Sequence, residues 1–80
     1  MNNRKSIASL AEVIETWGSC AALGAETGER AGTVRQWRNR NRIPPDHRLS
    51  IAQAARKRGD RRITVALMAR LAVTATRSSA

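Results

Sequence analysis

Between residues 35 and 42 the chain reads Arg-Gln-Trp-Arg-Asn-Arg-Asn-Arg. A glutamine amide makes paired hydrogen bonds to adenine N6 and N7. A guanidinium does the same to guanine O6 and N7, or holds a phosphate. Elsewhere the reactive inventory is thin. There is one His and one Cys, no inward-facing pair of carboxylates and no glycine loop to cradle a phosphate, so no catalytic constellation assembles and no enzyme is expected. Cys20 alone makes no internal disulfide, and too few Cys and His accompany it for a zinc set; among Ala and Leu it reads as a small buried thiol. His47, between Asp46 and Arg48, reads as a surface residue. Neither metal nor cofactor is expected.

The 80 residues carry a net charge of +9, and its distribution says more than its total. Up to Arg30 the basic residues are Arg4, Lys5 and Arg30, facing Glu12, Glu15, Glu26 and Glu29. From Ala31 onward twelve Lys and Arg face only Asp46 and Asp60. A one-sided positive field of this kind is the footprint of a nucleic-acid binder. A chain this short forms one domain and buries only about 60–65% of its unfolded surface. No apolar run approaches the ~20 residues of a membrane span, and Glu12 and Glu15 interrupt the only stretch resembling a signal peptide, so a cytoplasmic or nucleoid location is expected.

Five short helices must position these side chains; no segment alternates with period two. Ile7, Leu10, Ala11, Ile14 and Trp17 recur at three- and four-residue steps on one apolar face, with Ser9 and Glu12 as a capping box. Gly18 ends that helix and Ser19 caps the next, about Cys20 to Thr27, which stops at Gly28. A third runs from near Ala31 through Val34 and Trp37 to about Asn39, where Pro44 and Pro45 forbid continuation and Ile43 is pushed to an extended conformation. Pro45 suits the first turn of a fourth helix, with Leu49, Ala52 and Ala55 on one face and its end at Gly59. Asp60 or Thr64 caps a fifth, which carries Ile63, Leu67, Met68 and Leu71. The expected organisation is a flexible basic arm over 1–8, an all-α bundle over 9–72 and a disordered tail over 73–80.

The spacing within AALGAETGERAGTVRQWRNRNRIPP is that of a helix-turn-helix. Gly24 is small where the two helices nearly touch. Gly28 takes the positive φ of the sharp turn at little cost. Val34 and Trp37, three apart, pin the second helix to the core and leave its other face free for a groove. Trp37 is thus a core anchor, expected to cluster with Trp17, Leu23 and Val34.

On these residues the chain resembles the lambda-repressor-like family of small phage and phage-derived transcription regulators. The ending VRQWRNRNRIP looks like that of its short Cro-type members. The resemblance spans about residues 9–72, with departures at Thr27, Glu29 and Arg30, where the family often has an aliphatic residue, an apolar residue and a Ser or Thr cap. The resemblance implies base contacts from Ala31, Gly32, Thr33, Arg35 and Gln36, and phosphate contacts from Arg30, Arg38, Arg40 and Arg42. It implies a repressor acting as a homodimer on a palindromic double-stranded operator. Leu67, Met68 and Leu71 are the candidates for the dimer face, as apolar residues in excess of what so small a core can bury. Arg56, Lys57, Arg58, Arg61 and Arg62 form either a second phosphate-binding group or a solvated helix end.

Two other readings belong to different classes. One is a protein-interaction module of antirepressor or antitoxin type, for which DNA is secondary; the other is a general nucleoid-binding protein. RNA recognition is weaker still, because it stacks bases on exposed aromatics, and the two Trp, with no Phe or Tyr, both fall at core positions.

Overall fold

The computed structural model describes residues 7–79. These form an all-α bundle of five helices: α1 Leu10–Glu15, α2 Cys20–Thr27, α3 Ala31–Arg40, α4 Pro45–Lys57 and α5 Val65–Ser79. Residues 1–6 of the expected arm lie outside the described residues.

Local chemistry sets most of the boundaries. Ser9 Oγ accepts the Glu12 N–H at 3.2 Å, and Glu12 Oε1 reaches back to the Ala8 N–H at 3.1 Å, one residue earlier than a strict capping box. Ser19 Oγ caps α2 through the Ala22 N–H at 3.1 Å. Pro45 opens α4. Of the two candidates for capping α5, Thr64 does so, its Oγ1 accepting the Leu67 N–H at 3.0 Å. Asp60 instead folds onto Arg62.

One core joins all five helices. Leu10, Val13 and Ile14 of α1, Trp17, Cys20, Leu23, Val34, Trp37, Ile43, Ile51, Ala54, Ala55, Ile63, Met68 and Leu71 form a single buried cluster, which brings together Trp37, Trp17, Leu23 and Val34 as expected.

Three expectations are corrected. The inward face of α4 is Ile51, Ala54 and Ala55, while Leu49 is 58% exposed. Both sets fit a helical period; contact with α2 and α5 selects the second. Met68 is fully buried and Leu71 nearly so, with Leu67 packed half-buried against the core, so Met68 and Leu71 are not surplus apolar surface. The large exposed apolar residues among those described are Leu49, Val65 and Val73. Finally, the chain does not unravel at Val73: α5 continues to Ser79, and the Thr74 hydroxyl donates to the Arg70 carbonyl one turn back.

Candidate functional site

The turn between α2 and α3 is built on two glycines. Gly28 adopts φ 81° and ψ 17°, the left-handed cap that ends α2. The backbone then folds back so that the Glu29 N–H donates to the Gly24 carbonyl at 2.9 Å. A β-carbon on Gly24 would lie 2.5 Å from the Glu29 carbonyl oxygen, so the small residue is required by the returning turn rather than by a helix–helix crossing. The three departures from the family pattern each have a local place. The Thr27 hydroxyl donates to the Leu23 carbonyl at 2.9 Å. Glu29 Oε2 stands 3.4 Å from His47 Nδ1. Arg30 precedes α3 without giving it a side-chain cap.

α3 has two faces. Val34 and Trp37 are buried, and the Trp37 ring meets the His47 ring at 4.9 Å between centroids. His47 is therefore half-buried between the turn and α3 rather than a simple surface residue. On the opposite side Gly32, Arg35, Gln36 and Asn39 are all exposed. Their spacing of three, four and seven residues makes them one continuous stripe. Of the five expected base-reading positions, Gly32, Arg35 and Gln36 lie on this stripe, whereas Ala31 and Thr33 are half-buried on its flanks. Asn39 completes the stripe one turn beyond Arg35 and Gln36, and sequence reasoning passed over it. The signal was its i+3, i+4 relation to those two residues.

The far end of α3 is tied down by a residue that sequence reasoning also missed. Asn41 takes φ 52° and ψ 47° and ends the helix. Past it, the Arg42 N–H donates to the Trp37 carbonyl at 2.9 Å. The Asn41 side chain then accepts the Ala11 N–H at 2.9 Å, one of the first-turn donors of α1 that has no partner within its own helix. One residue thus closes α3 through its backbone and fastens it to α1 through its side chain. An Asn just before Arg-Ile-Pro, where the helix must stop, is the signal that could have identified it.

Arg30, Arg35, Arg38, Arg40 and Arg42 are exposed and take part in no ion pair among the described residues. The second basic run behaves differently. The Arg58 guanidinium lies 4.0 Å over the Trp17 ring and donates to the Thr16 carbonyl at 2.9 Å and to its hydroxyl at 2.6 Å. Arg62 grips both carboxylate oxygens of Asp60, at 3.0 and 2.7 Å, and Arg58 adds a weaker contact at 3.4 Å. The hydrogen bonds from Arg62, above all, hold the Asp60 carboxyl below its ordinary range against the opposing effect of burial. Arg58 and Arg62 are thus engaged within the fold, and Arg56, Lys57 and Arg61 remain exposed.

Among the described residues no group of three or more His, Cys, Asp or Glu is placed to hold a metal, and no helix is long and apolar enough to cross a membrane. Comparison with protein-family models, with curated proteins and with solved structures gives no match. The resemblance to lambda-repressor-like regulators rests on the residues alone.

Proposed function

We propose that this chain is a sequence-specific regulator that binds double-stranded DNA, acting as a repressor in the cytoplasm or on the nucleoid, with α3 as the helix that enters the major groove. The observation that carries this reading is the outward stripe of α3. Gly32, Arg35, Gln36 and Asn39 stand free on a helix whose other face is locked into the core, and they are flanked by guanidiniums that form no ion pair among the described residues. Gln36 and Arg35 suit adenine and guanine edges, and Gly32 lets the helix start approach closely. Arg30, Arg38, Arg40 and Arg42 suit phosphates, which fix register without reading sequence.

A single module of this size covers few base pairs, so the protein binds as a homodimer on a two-fold operator with half-sites about one helical turn apart. Since Met68 and Leu71 face the core, pairing through α5 falls to exposed residues such as Ala69 and Val73, with Leu67 an edge contributor.

The test is selection of bound fragments from genomic DNA, followed by sequencing. A recurrent inverted repeat is the expected outcome. Featureless coverage would replace the proposal with a general nucleoid-binding role, and no enrichment at all would leave protein partners as the function.

A further inference from the structure

The side of the bundle formed by α4 and α5 has a feature that DNA binding does not use. Leu49 of α4 and Val65 at the start of α5, 58% and 41% exposed, line the same open groove of about 510 Å³, whose floor includes Ala52 and Ile63 and whose lining includes Arg56 and Arg61. Because Leu49 and Val65 share one groove, their exposed apolar surface is grouped and not scattered, the arrangement that marks an interaction site.

We propose that this groove docks an acidic amphipathic helix of another protein, its apolar face on Leu49 and Val65 and its carboxylates on Arg56 and Arg61. The charges select this occupant. Arg56 and Arg61 are exposed and in no ion pair among the described residues, while Asp60, which also lines the groove, is already gripped by Arg62 and Arg58. The groove therefore presents apolar surface edged by unanswered positive charge. A second copy fits poorly, because it has few carboxylates placed to answer these arginines. The exposed carboxylates Glu12, Glu15 and Glu26 belong to α1 and α2, neither of which carries a large exposed apolar residue. Asp46 does stand one turn before Leu49, but one carboxylate cannot answer two guanidiniums. Nucleic acid would satisfy the arginines and leave Leu49 and Val65 wet. None of the residues that line the groove belongs to α3. This is the helix-in-groove mode of recognition, and it stands or falls separately from the DNA-binding proposal.

The probe is a synthetic capped peptide with Leu along one helical face and Glu at the remaining positions, titrated into the full isotope-labelled chain and followed by amide chemical shifts. Saturable shifts confined to residues 49–56 and 60–65, unchanged when duplex DNA is present, are the expected result. Leu49→Asp, and Arg56→Glu combined with Arg61→Glu, each weaken binding about tenfold or more, and melting of these variants stays near the parent's because the altered side chains are exposed. A peptide with Ser for every Leu but all its Glu retained binds about tenfold more weakly as well. Equal binding of the Ser peptide overturns the proposal, as do shifts centred on residues 35–42 or the absence of any saturable shift. A free protein of doubled mass that Leu49→Asp returns to monomer also overturns it, and makes a second copy the occupant.

Discussion

Arg40 follows Gln36 by one turn, towards the flank of α3, and the two are expected to fail in different ways. If Gln36 meets a base edge, Gln36→Ala costs about 1–3 kcal/mol per half-site and relaxes preference at one base pair. If Arg40 meets a phosphate, Arg40→Ala weakens specific and scrambled duplexes alike and lowers the salt dependence by about one unit per half-site. Titrations of both duplexes at several salt concentrations separate these outcomes; equal losses from Gln36→Ala on the two duplexes would show that α3 has been misassigned. Gly24 and Gly32 make a second contrast. A methyl at position 24 meets the Glu29 backbone oxygen, which no side-chain rotation can relieve, whereas a methyl at position 32 meets nothing within 4 Å. Gly24→Ala is therefore expected to destabilise by about 1–3 kcal/mol. Gly32→Ala, inside a helix, should stabilise by about 0.5–1 kcal/mol. Urea unfolding of the pair checks this, and a Gly24→Ala protein as stable as the parent rules out the close approach.

Sequence and fold agree best at a few capped boundaries, because capping is chemistry between near neighbours; α1, by contrast, ends at Glu15, short of the expected Gly18. Ser9, Ser19, Gly28 and Pro45 each announce a boundary through their own side chain or φ preference, and each boundary lies where its residue type demands. Asn41 was not legible in this way, since its function depends on Ala11, thirty residues earlier. The Asn41→Gly protein keeps the left-handed conformation and loses the bond, at about 1 kcal/mol. Asn41→Ala loses the bond and must also hold φ 52° with a β-carbon, about 1–2 kcal/mol more. Thermal melts in which the Ala variant is no worse than the Gly variant would contradict this cap. The segment between α4 and α5 makes a prediction about acid. A carboxyl whose folded pKa is depressed contributes stability that is complete above its ordinary value and disappears as pH falls through the lowered one. Asp60, displaced downward from 3.8 by Arg62, should give the parent an acid-side loss of stability that Asp60→Asn lacks. Melting temperatures measured against pH in the acid range test it; parallel curves for the two proteins would refute the link.

Across the whole molecule, the sequence was least informative where two elements compete for the same partner. Leu49 and Ile51 both belong to plausible helical faces, and only the meeting of α4 with α2 and α5 decides between them. Arg58 looked like one cation in a run; its engagement with Thr16 and Trp17 spans 42 residues and has no local signature. α5 outlasts its expected end because Ala and Arg are good helix formers once Met68 and Leu71 have docked the helix. This changes how self-association is tested. Leu71→Glu should unfold the domain, while Val73→Glu should leave it folded and weaken a dimer of twice 8.8 kDa measured by sedimentation on operator DNA. An unaltered dimer in Val73→Glu places the pairing surface elsewhere. The outward stripe of α3 has one more consequence, for how such a protein changes over generations. Arg35, Gln36 and Asn39 are exposed and in no ion pair among the described residues, so replacing them costs the fold about 0.5 kcal/mol or less. Residues that read and residues that hold the reader in place are physically separate: Val34, Trp37, Asn41 and Gly24 do the latter. A lineage carrying this scaffold can therefore drift from one target to another through single substitutions, with every intermediate still folded.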